Sequence, residues 1–186
     1  MSIGALTLSA VARGLTTLTH YVDIAQAHAD RHDVDPAALV AARLAPDMLP
    51  FSGQIQCATD KARHGLARLT GTEAPRYDPD LSLPDLRRRI ARSAEFINQF
   101  TPGQLDGAED RVIQLRFPSF SGDLSGFVYA MQFVLPDFYF HVATAHGILR
   151  MSGVVVGKPD YLGSLDYLAL GDRAGAESPD RDGRRS

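Results

Sequence analysis

Asp137 and His141 are ligand-type side chains at helical spacing inside an apolar run, LPDFYFHVATAHGILRMSGV, from Leu135 to Val154. Four residues apart, they share one face of a helix. A carboxylate and an imidazole so placed can ligate one divalent metal ion together. They can also act as a general base, His141, and its orienting group, Asp137. A third reading gives them no chemistry. They would then be a hydrogen-bonded packing pair, or Asp137 would be an N-cap where a helix restarts after Pro136. His146 follows His141 by five residues, about 140° round a helix, and is a poor third ligand.

Other groups earlier in the chain bear on the same question. Asp47, Gln54 and Lys61 are seven apart on the flank of an apolar helical pattern. They are the polar groups of that helix best placed to look into a bundle. Cys57 lies in the same pattern and reads as an inert thiol, because His64 is two turns away along the axis. Arg87, Arg88, Arg89 and Arg92 form a basic cluster. Arg88, Arg89 and Arg92 fall on one flank and read as a solvated face rather than a phosphate site.

The elements that must position these residues are helical. Apolar positions at Leu8, Val11, Leu15, Leu18, Val22, Ala25 and Ala29 step by threes and fours, which predicts a first helix over about 5–30. Asp35-Pro36 opens a short helix to about Leu44. A second long helix ends near Leu69, closed by Gly71. Ser82 caps a third, with Pro84 and Asp85 in its first turn, running to about Phe100. Ile113, Leu115 and Phe117 alternate, so 111–117 reads as a strand, with a short return strand over 119–124. Ser125 caps the fourth helical stretch, and Ser152-Gly153 ends it. Pro136 predicts a kink or break near Leu135. Four long helices with short connections make an all-α four-helix bundle, with a short β-hairpin or extended segment between helices 3 and 4. The domain covers 1–163. The extension 164–186 begins with Leu165, Tyr167, Leu168 and Leu170, which can pack on the bundle or on a second subunit, and ends in a polar tail expected to be disordered.

Composition narrows the function classes. The chain has 186 residues, 45% of them hydrophobic and 22% charged, with a net charge of −3. That balance argues against general nucleic-acid or anionic-membrane binding. One cysteine allows no internal disulfide and fits a cytoplasmic setting. The N-terminus lacks the basic region of a signal peptide, and no stretch is a transmembrane candidate.

Four blocks carry a resemblance: LAPDMLPFSGQIQCATDKA (44–62), GAEDRVIQLRF (107–117), LPDFYFHVATAHGILRMSGV (135–154) and GKPDYLG (157–163). They resemble an uncharacterised bacterial domain-of-unknown-function family, itself similar to the DinB/YfiT-like four-helix bundles, a superfamily of proposed metalloenzymes. The resemblance implies an all-α bundle, often a homodimer, and in many members a divalent metal held by three histidines. His141 falls where the second histidine of the last-helix pair lies, and Asp137 where the first lies. The helix 2 histidine has no counterpart, with Gln54 the best-placed polar residue and Asp47 second. A glutamine amide is a weak transition-metal ligand. The expectation is therefore a degenerate metal site at His141 and Asp137, with the unmetallated polar network narrowly favoured over a bound divalent metal.

Two functions follow from that expectation. In the first, a pocket lined by Asp47, Gln54, Tyr139 and His141 binds a small molecule, with His141 the candidate catalytic group. In the second, the chain is a structural or protein-interaction module whose polar core only specifies packing.

Overall fold

The computed structural model describes residues 2–79, 81–117 and 121–163. Helix α1 spans Ile3–His32, capped by the Ser2 hydroxyl, which accepts from the Ala5 amide. It ends on Asp33 in the left-handed region. Asp35 caps α2, Pro36–Ala41, and Pro36 takes its first position. An irregular linker leads to α3, Phe51–Thr70, which Gly71 closes at φ 71°. Ser82 caps α4, Leu83–Ile97, by accepting from the Asp85 amide. The short α5, Pro102–Leu105, precedes an antiparallel hairpin of β1, Val112–Arg116, and β2, Ser121–Ser125. Its register pairs Ile113 with Leu124 and Arg116 with Ser121.

The last rod of the bundle is continuous but not uniform. It opens with α6, Gly126–Tyr129, passes through a π-helical turn, Ala130–Val134, and continues as α7, Leu135–Met151. In that turn the Leu135 amide donates to the Ala130 carbonyl, five residues back. The wider turn precedes Pro136, which lacks an N–H and crowds the carbonyl of the previous turn in a tight α-helix. The expected break near Leu135 is thus absorbed as one extra residue in the turn. Asp137 lies within the first turn of α7 and does not restart a helix. A final short helix, α8, covers Lys158–Leu162.

In the bundle, α1 packs on α4 and α7, and α3 packs on α4 and α7 from the other side. Of the expected stripe of α1, Val11, Leu15, Leu18, Val22, Ala25 and Ala29 are buried and Leu8 is half-buried against the core. Close approach is set by small residues. A Cβ on Gly14 would meet the Phe138 ring at 2.2 Å, and one on Gly65 would meet a Val134 methyl at 2.6 Å. Among the described residues no helix is long and apolar enough to cross a membrane. The extension from residue 164 lies outside the described residues.

The basic cluster on α4 differs from expectation. Arg89 is only 4% exposed. It donates to the Thr59 hydroxyl at 2.8 Å, to Asp60 at 2.7 Å and to the Asp78 carbonyl at 3.0 Å. Arg63, 1% exposed, meets the same Asp60 carboxylate and the Pro75 carbonyl. Tyr77 lies under Arg63, Arg89 and Arg92. The segment 72–79 therefore folds back over α3 and α4 and buries arginines that a helical wheel places in solvent.

Candidate functional site

The seam between α3 and the last rod should be apolar in a bundle, and along one strip it is not. On α3 the strip is Gln54, Cys57, Lys61, His64 and Arg68, which fall within an arc of about 80° at 100° per residue. On the opposing rod it is His141, Asp137, Phe133 and Tyr129, each four residues from the next. The two strips run antiparallel and meet in three polar rungs.

The first rung is Gln54 with His141. Gln54 is 2% exposed and His141 is 8% exposed. The Gln54 amide nitrogen donates to the Leu49 carbonyl at 3.0 Å, which turns its oxygen toward His141 Nδ1 at 2.7 Å. An amide oxygen only accepts, so Nδ1 is the donor in this contact. His141 Nε2 faces Asp137 Oδ1 at 3.2 Å. Burial pushes the imidazole below its ordinary pKa, Asp137 pulls it up, and Lys61 pushes it down again.

The second rung is Asp137 with Lys61, whose ammonium stands 2.6 Å from Asp137 Oδ2 and 5.3 Å from the centre of the Phe133 ring. The third is Arg68 with Tyr129, where a guanidinium N–H donates to the phenol oxygen at 3.1 Å. Burial raises the Tyr129 pKa, against the pull of Arg68.

Between the second and third rungs the helices leave a cleft of about 370 Å³. Cys57, Asp60, Lys61, His64 and Arg68 line it on α3, and Tyr129, Phe133 and Val134 on the other side, with Phe117 from the hairpin. Phe133 stacks near-parallel to Tyr129 and to Phe117. Burial pushes the Cys57 thiol up, so it is a poor nucleophile at neutral pH. Burial lowers His64, reinforced by Arg63.

The residues present do not fit the metal that the resemblance implies. The Gln54 oxygen is already taken by His141 Nδ1–H. The free oxygen of Asp137 holds the Lys61 ammonium, a cation where a metal would stand. Among the described residues no three His, Cys, Asp or Glu side chains converge on one point.

Gln54, Asp137 and His141 are thus brought together as expected, and Lys61 joins them. Asp47 does not join them. It sits exposed in the turn before α3, because Pro50 delays the helix and breaks the seven-residue spacing that pointed inward. Tyr139 is on the opposite side of α7. Its hydroxyl donates to the Ala10 carbonyl at 2.9 Å and accepts from Arg13 at 3.1 Å. Two residues from His141 is roughly half a turn, so the two cannot line one pocket. His64, Arg68, Tyr129 and Phe133 were not foreseen. The signal existed, because the step from Gln54 to Lys61 repeats at Arg68.

The family described as a domain of unknown function (DUF1993) matches residues 5–162. A crystal structure of a DinB family member protein from Shewanella denitrificans is similar over the bundle. Its TM-score is 0.82 at 37% identity, covering 90% of this chain and 97% of that chain. No curated protein matches the sequence.

Proposed function

We propose, for a chain that belongs to the domain-of-unknown-function family DUF1993 and has a DinB-like fold, that it binds a small organic molecule in the cleft between α3 and the last rod. One observation carries the reading. The α3 face at that seam presents Lys61, His64 and Arg68 to an aromatic wall, where bundle packing alone calls for aliphatic side chains. The rung of Gln54, His141, Asp137 and Lys61 is the degenerate form of a metal site, with the ammonium supplying the positive charge. Its role is to hold Lys61 at the inner end of the cleft.

The reading includes a second copy of the chain. Phe140, Gly147 and Met151 lie on one outward face of α7, and Leu44 covers Gly147 from the linker. Phe140, Met151 and Leu44 are exposed apolar groups on that face.

The test is a fragment screen on ¹⁵N-labelled protein, read by amide shifts. Fragments should perturb Lys61, His64 and Phe133, and Phe133→Ala should weaken them. Shifts confined to other surfaces, or no saturable shifts, would leave the polar seam as a packing device in an interaction module.

A further inference from the structure

The two acids beside the cleft, Asp60 and Asp137, already have their cations. Asp60 is held by Arg63 and Arg89. Asp137 is held by Lys61 at 2.6 Å. Arg68 is half-buried, and among the described residues its guanidinium meets the Tyr129 hydroxyl and no carboxylate. A guanidinium presents several N–H donors in a plane, matched to a carboxylate. One donor going to a neutral phenol leaves an edge unused. His64, one helical turn earlier on the same face, lines the cleft beside it and has no hydrogen-bond partner among the described residues. Its lowered pKa makes it a neutral donor rather than a second charge.

The apolar half of the cleft is equally specific in shape. Tyr129, Phe133 and Phe117 form a near-parallel series, with interplanar angles of 19° and 23° and ring centres 5.7 and 6.1 Å apart. The Arg68 guanidinium lies 6.0 Å from the centre of the Phe117 ring. Flat aromatic faces favour flat ligands through offset stacking. A cleft of about 370 Å³ is at the small end of ligand pockets.

We infer that the ligand of this cleft is a monocarboxylate with a flat, unsaturated body, its carboxylate on Arg68 and His64 and its body against Phe133. The inference rests on the cleft being a binding site. A phosphate ester would bring a second negative charge toward Asp60 and Asp137.

The experiment titrates the full 186-residue chain with benzoate and 2-naphthoate, and with the matched amides benzamide and 2-naphthamide. Binding is read by ligand-observed NMR. The carboxylates should saturate and bind roughly tenfold to a hundredfold tighter than the amides, the scale of charge-assisted hydrogen bonds. Arg68→Gln should remove that preference, and Arg68→Lys should keep part of it. Circular dichroism and melting temperature confirm that each variant is folded. If acid and amide bind equally, and both are lost in Phe133→Ala, the cleft stands and the carboxylate inference fails. If neither acid binds, the inference fails, while the fragment screen above still decides whether the cleft binds anything else. If naphthoate binds unchanged in folded Arg68→Gln, the anion site is elsewhere and the inference is overturned.

Discussion

Gln54 decides what His141 can do. Its amide is oriented by the Leu49 carbonyl, so the oxygen fixes the imidazole hydrogen on Nδ1 and leaves Nε2 toward Asp137. Gln54→Leu would strand a buried N–H, and should cost about 1–3 kcal/mol in urea unfolding. Adding His141→Leu should recover much of that loss, because two apolar groups have no unmet hydrogen bond. A double variant as unstable as the sum of the singles would sink this account. The histidines also set the acid response. Burial holds His64, His141 and His146 below the ordinary imidazole pKa, and Tyr21 donates to or accepts from His146 Nδ1 at 2.8 Å. The unfolded chain therefore takes up protons first as pH falls through about 6.5, and stability declines below that point. The melting temperature should drop between pH 7 and 5.5, and His146→Asn should flatten part of the slope. A flat profile in the wild-type protein would contradict the buried-neutral assignment. The Asp137–His141 pair was legible because four-residue spacing is local information. Asp47 was misplaced because a seven-residue step holds only while the helix continues, and Pro50 ends it.

At the scale of elements, the informative departure is the π-helical turn before Pro136. A proline inside an apolar helical run announces a disturbance but does not say which kind. Here the chain inserts a residue and continues, which keeps Tyr129, Phe133, Asp137 and His141 all facing α3. Gly65 on α3 makes room for that turn, since a Cβ there would lie 2.6 Å from a Val134 methyl. Gly65→Ala should therefore destabilise the protein by about 1–3 kcal/mol through overpacking. Val134→Ala in the same chain should return part of the loss, read as urea midpoints of the two single variants and the double. No rescue would mean that Gly65 serves something other than clearance for the π turn. The arginines of α4 show the opposite limit of sequence reading. The pattern put Arg89 on a polar flank, but the strap of 72–79 covers that flank, and the cover comes from outside the helix. A helical wheel has no access to such a neighbour.

At the scale of the molecule, the bundle was legible because four amphipathic stripes need one another to be buried, and short connections leave few ways to arrange them. Which polar strip would become a cleft was not legible, because that depends on which helices are neighbours: α3 meets α7 along the strip and α4 on its other side. The same limit applies to the outward face of α7. Phe140 and Met151 are 57% and 54% exposed there, eleven residues apart with Gly147 between them, and Leu44 closes over the glycine. A stripe of that spacing has the form of a helix seam without its partner. A second copy using the same stripe would make a closed, self-complementary pair. Sedimentation equilibrium should then find a dimer, and Phe140→Ser with Met151→Ser should shift it to monomer without lowering helix content. Truncation after Gly163 separates this interface from one built by the extension. If truncation leaves the dimer and the double serine variant abolishes it, the seam is α7 against α7. If truncation alone gives monomer, the extension makes the contact and the α7 stripe is not the interface. If the untruncated chain is monomeric at tens of micromolar, the exposed stripe has another use and the dimer proposal falls.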